Sequence, residues 1–105
     1  MPAVIKKRYF PRTVTARLGL LIEECGEVLA AAGKSVRFGL DSYNPELRAA
    51  DREINRDWLL REIVDLERAL AIARESIDDG GFEMRTKFRE AARRRAQARK
   101  KAKPR

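Results

Sequence analysis

Apolar residues recur at helical spacing through much of the chain. Val14, Leu18, Leu21, Ile22, Cys25 and Leu29 form one stripe on a wheel turning about 100° per residue, with Glu23, Glu24 and Glu27 roughly opposite. The stripe predicts a helix that starts at Thr13 or Thr15, whose hydroxyls can cap free amides after Pro11, and stops near Gly33. Lys34 to Tyr43 reads as a loop. Asn44-Pro45-Glu46 reads as a helix start: a capping amide, proline at the first helical position, and an acid near the positive helix end. That helix is expected to run to Ile77, with a break between Asp51 and Asn55. Its main stripe is Leu59, Ile63, Leu66, Leu70 and Ile77, and Trp58, Glu62, Asp65, Ala69 and Ile72 share an adjacent face. Asp78-Asp79-Gly80-Gly81 ends it, and a last helix from Glu83 leads into a tail ending Lys103-Pro104-Arg105. The pattern predicts an all-α helical domain with antiparallel helices.

Composition narrows the chemistry. At 105 residues the chain makes one domain with a modest core, which self-association would enlarge. The single cysteine, Cys25, cannot form an internal disulfide and reads as an inert core thiol. No run of 18 apolar residues exists, so no membrane span is expected, and no secretory signal is evident; a cytoplasmic protein is the expectation. There is no histidine, which excludes Ser-His-Asp and Cys-His catalysis and imidazole zinc sites. A Walker-type phosphate loop is absent too. Catalysis is left to carboxylates, metal and basic side chains.

The net charge of +8 conceals a partition. Residues 1–12 form a basic N-terminal segment with four cations and no acid. Residues 13–84 are acidic, with nine cations against fifteen acids, whereas residues 85–105 carry eleven cations against Glu90 alone. An acidic helical body therefore precedes a polycationic helix or tail.

Two motifs in the body carry the candidate chemistry. Glu23-Glu24-Cys25-Gly26-Glu27 and Glu62-Ile63-Val64-Asp65 each place two carboxylates three residues apart, on one helix face. If the helices pack with these faces together, four carboxylates crowd one volume. A unit-charge contact at 4 Å costs about 4 kcal/mol at an effective dielectric near 20, so such a cluster calls for a cation. An all-oxygen cage suits a hard divalent ion, Mg²⁺ or Mn²⁺.

EExxE followed on a later helix by ExxD resembles the MazG-like all-α nucleoside triphosphate pyrophosphohydrolases, over roughly residues 13 to 79. The resemblance implies an enzyme that cleaves a nucleoside triphosphate between the α and β phosphates, releasing monophosphate and pyrophosphate. It implies Glu24, Glu27, Glu62 and Asp65 as metal ligands, with Glu23 at the remaining acidic position, and a homodimer or higher homo-oligomer. Lys34, Arg37 and Lys87 are candidate phosphate contacts, the last within a Lys87-Phe88 stretch similar to one in some family members. Trp58, one turn before Glu62, is a candidate base contact but reads more readily as core or subunit interface. The alternative reading is a helical nucleic-acid-binding protein, in which the acidic helices are scaffold and the basic C-terminal segment neutralises phosphates.

Overall fold

The computed structural model describes residues 11–102. The basic segment 1–12 lies almost wholly outside that range, as does the end of the tail, Lys103-Pro104-Arg105. The described residues form three α-helices, α1 (Val14–Phe38), α2 (Asn55–Ile77) and α3 (Phe82–Ala102), with one 3-10 turn (Ala49–Asp51) and no strand. The all-α expectation holds.

Thr13 caps α1, its hydroxyl accepting the Ala16 amide at 3.1 Å. The helix does not stop at Gly33. It continues through Lys34-Ser35-Val36-Arg37, because Gly33 sits on an open face where a glycine costs α1 only about 1 kcal/mol. Gly39 ends it at φ 94°, a conformation other residues resist, with its amide donating to Ser35 O at 2.9 Å. Asn44-Pro45-Glu46 starts no helix. The Asn44 side chain accepts the Glu46 amide at 3.0 Å, closing a local turn instead of capping a helix. The chain reaches α2 only at Asn55, after the 3-10 turn.

Helices α1 and α2 form an antiparallel hairpin, and α3 packs on neither. Its seam follows a coiled-coil spacing on both helices: Arg17, Leu21, Glu24, Val28, Ala31 and Ser35 face Asn55, Leu59, Glu62, Leu66, Ala69, Ala73 and Ser76, each set stepping alternately by three and four. Polar residues pin both ends. At the open end the Arg17 guanidinium donates to Ser76 Oγ (2.6 Å), Ile72 O (3.4 Å) and Pro11 O (2.7 Å). At the loop end Asn55, 7% exposed, donates from Nδ2 to Gly39 O (2.9 Å) and Lys34 O (3.4 Å), and from its backbone amide to Ser42 O (2.8 Å). Asn55→Ala removes the two side-chain hydrogen bonds that tie α2 to the end of α1 and is expected to cost about 1–3 kcal/mol, read as a lower thermal midpoint.

The seam is rotated by one residue from the stripe expected on α1. Leu18, Ile22, Leu29 and Val36 are exposed (39, 73, 72 and 88%), and so is Cys25, which is not a core thiol. Among the described residues the most deeply buried apolar side chains are Ala31, Ala69, Ile72 and Ala73. A core of three alanines and one isoleucine is too small to hold a domain of this length. The overall form agrees. The radius of gyration is 21.4 Å, against about 13 Å for a compact chain of this size. The accessible surface is 9128 Å², against roughly 6,000 Å² for a compact monomer of the same mass.

Candidate metal centre

Seam geometry brings the two acidic motifs together. Glu24 of α1 and Glu62 of α2 occupy seam positions, where their side chains must point at the opposite helix. Glu24 is 9% exposed and Glu62 is 4% exposed; Asp65, one turn along α2, is half-buried. One carboxylate oxygen from each of these three residues lies within 4.8 Å of the others. That limit is slightly wider than the about 4 Å between oxygens on opposite sides of one Mg²⁺, which coordinates at about 2.0–2.1 Å, so small side-chain movements would close the three oxygens onto a single cation.

Satisfaction of the oxygens gives a second test of fit. Glu24 Oε2 and Glu62 Oε2 are buried and accept no hydrogen bond from the described residues. Buried carboxylate oxygens are costly without a partner, and a hard cation supplies one. The donor set contains oxygen only, which matches Mg²⁺ or Mn²⁺. Glu27 is exposed at the border of the pair, close enough to interact with both the Glu24 and Glu62 carboxyls. Glu23 is exposed beside Glu24 and contributes only its charge.

The electrostatics follow from burial. Desolvation, then the charge of Asp65, pushes the Glu24 carboxyl above the ordinary glutamate value of 4.5. Desolvation, then the neighbouring Glu27 carboxyl, pushes Glu62 up as well. Both shifts mean that the metal-free folded protein binds more protons than the unfolded chain between pH 4.5 and the raised values. Lowering the pH from neutrality through that window is therefore expected to stabilise the metal-free protein, and raising it to weaken it. Urea titrations in chelator from pH 7 down to pH 5 check the sign. The exposed Asp79, lowered to about 2 by its pairing with Arg85, acts oppositely but only in stronger acid.

Arg61 is a neighbour that the sequence did not suggest. Its guanidinium donates to Glu62 Oε1 at 3.1 Å and to Glu53 Oε1 at 2.7 Å, so one oxygen of Glu62 is served by an internal cation while the other faces the cluster. Adjacent helical residues point in different directions, so spacing gave no reason to pair Arg61 with Glu62. The signal, visible only afterwards, is the reach of a long side chain toward the acid at position 53.

The other candidates are more dispersed. Trp58 is half-buried on α2, one turn from Glu62 toward the loop end. Lys34 and Arg37 belong to the last turns of α1 and not to a loop; they flank the Phe38 ring at 5.5 and 4.9 Å. Lys34 is ten residues from Glu24, roughly 15 Å of helix. Lys87 lies on α3, paired with Glu83 at 3.1 Å, on an element that does not pack against the hairpin, so it is not brought to the carboxylates. Among the described residues no helix is long and apolar enough to cross a membrane. No family model, curated protein or solved structure matches this chain.

Proposed function

We propose that this protein is a metal-dependent nucleotide pyrophosphohydrolase of MazG-like type, cleaving a nucleoside or deoxynucleoside triphosphate between the α and β phosphates. The observation that carries the reading is the trio Glu24, Glu62 and Asp65, drawn from two helices into one partly buried cluster with two unsatisfied oxygens. In this reading those three residues hold Mg²⁺ or Mn²⁺, with Glu27 at the border as a fourth ligand. When bound, a divalent cation activates water and offsets charge on the phosphoryl oxygens. In the same reading Glu23, exposed next to Glu24, orients the attacking water or helps to hold a second ion. Lys34 and Arg37 offer cations at the loop end, and Trp58 lies between them and the cluster as a surface for the base.

The same reading includes a homodimer or higher homo-oligomer, in which a second hairpin completes a helical bundle. Its support is the α1 face left open: Ile22, Leu29 and Val36 alternate with Gly19, Gly26 and Gly33, large beside small, at the three-four spacing of a second seam.

Incubating the pure protein with a panel of NTPs and dNTPs plus Mg²⁺ or Mn²⁺ tests the reaction. Equal amounts of monophosphate and pyrophosphate, formed only with metal, are expected. Diphosphate with orthophosphate, or no turnover on any member, overturns the assignment.

A further inference from the structure

We infer that α3 is a duplex-DNA-binding helix that lies in the major groove and neutralises phosphates on both walls, an activity separate from the carboxylate cluster. The helix leaves the hairpin at Gly80-Gly81 and packs on neither α1 nor α2, so all its sides are open. Its internal ion pairs sit at the hairpin end: Arg85 with Asp79 at 3.0 Å, and Lys87 with Glu83 at 3.1 Å. Beyond them, Arg89, Arg93–Arg95 and Arg99–Lys101 are all exposed, and none has a carboxylate within 4.0 Å among the described residues.

How these cations are arranged selects the partner. Three consecutive arginines project about 100° apart, so Arg93, Arg94 and Arg95 span about 200° of the circumference, and Arg99–Lys101, which start about 240° round from Arg93, fill the remaining side. A helix on a flat anionic surface needs charge on one side only. One in a groove meets phosphates on two opposite walls. The run from Arg89 to Lys101 spans about 18 Å, and a helix of about 10–12 Å diameter fits a B-form major groove about 12 Å wide. From Arg89 onward the apolar residues are all alanines, which let the helix approach closely but give a membrane surface nothing large to bury. No aromatic follows Phe88, so single strands find no stacking platform along the basic run. The deep, narrow major groove of A-form RNA does not admit a helix. Gln97 is the single amide in the run, so binding is expected to be indifferent to base sequence.

Fluorescence anisotropy of the full chain in chelator, without nucleotide, tests this apart from any hydrolysis. The probes are a labelled 20-base-pair DNA duplex, its single strand, the matching RNA duplex, and vesicles of phosphatidylserine and phosphatidylcholine. The DNA duplex is expected to bind tightest, with log K falling against log salt at a slope of about −5, as five to six phosphate contacts require. In the R93Q/R94Q/R95Q variant the slope is expected to lose about 2 units. Glutamine forms helix nearly as well as arginine, so circular dichroism should show unchanged helix content. An unchanged slope in that variant overturns the proposal, as does equal or tighter binding to the single strand, the RNA duplex or the vesicles.

Discussion

Glu62→Gln is expected to make the metal-free protein more stable at pH 7 while abolishing its response to Mg²⁺. Glu62 is 4% exposed, with one oxygen on Arg61 and the other without a partner beside Glu24 and Asp65. The glutamine keeps the volume and the acceptor for Arg61, and removes a desolvated charge from a repulsive cluster. A gain of about 1–3 kcal/mol follows from the size of such penalties. For a domain of this size each kcal/mol moves the thermal midpoint by about 4–8 °C. In the wild type, Mg²⁺ at a hundredfold its dissociation constant adds about 2.7 kcal/mol; in the variant this increment vanishes. Under the proposed hydrolase reading, turnover is expected to fall with it by more than the roughly 10- to 100-fold that loss of an outer-sphere partner costs. Scanning calorimetry with and without metal reads both halves. A destabilised variant that still responds to Mg²⁺ would remove the cluster from the metal reading.

If the protein forms the proposed oligomer, Ile22→Glu combined with Leu29→Glu is expected to leave it monomeric. The protein exposes roughly 3,000 Å² more than a compact chain of its mass, shared between the unpacked α3 and the open face of α1. Both side chains are more than 70% exposed on the open face of α1, and each substitution places a carboxylate in the centre of that strip. Neither residue touches the hairpin seam, so lost association there is not lost folding of α1 on α2. Sedimentation velocity at micromolar concentration should show the wild type as a dimer or larger and the double variant as a monomer with a lower midpoint. A monomeric wild type would refute the interface.

The helices and their charges were legible in the sequence; the faces they turn to each other were less so. Counting large apolar residues on α1 selects Leu18, Ile22 and Leu29, and so makes Glu24 look like a member of a solvated face. The seam chosen by the fold runs instead through Ala31, Ala69 and Ala73, small residues that let the helices approach closely. Hydrophobicity is a poor guide where the buried residues are mostly alanine and the larger aliphatics of α1 stay exposed. Gly33 misled for a similar reason: a glycine is a stop only where a left-handed turn is needed, and that residue is Gly39. The pairing of Glu24 with Glu62 and Asp65 was legible from matched spacing and order. Arg61 was not, because the ion pair depends on side-chain reach rather than on helical period.

The antiparallel hairpin also sets an order of assembly. Contacts at the loop end join Asn55 to Gly39 across sixteen residues, whereas those at the open end join Arg17 to Ser76 across fifty-nine. Loop closure is entropically cheapest at the first, so the helices zip from Asn55 outward. Glu24 meets Glu62 about midway, after the loop has closed and before Arg17 has latched. The carboxylate repulsion thus falls on the path of zipping as well as on its end point. In the proposed metal-bound state a divalent cation would be a clasp there, favouring completion of the pairing and holding the far half of the hairpin closed against fraying.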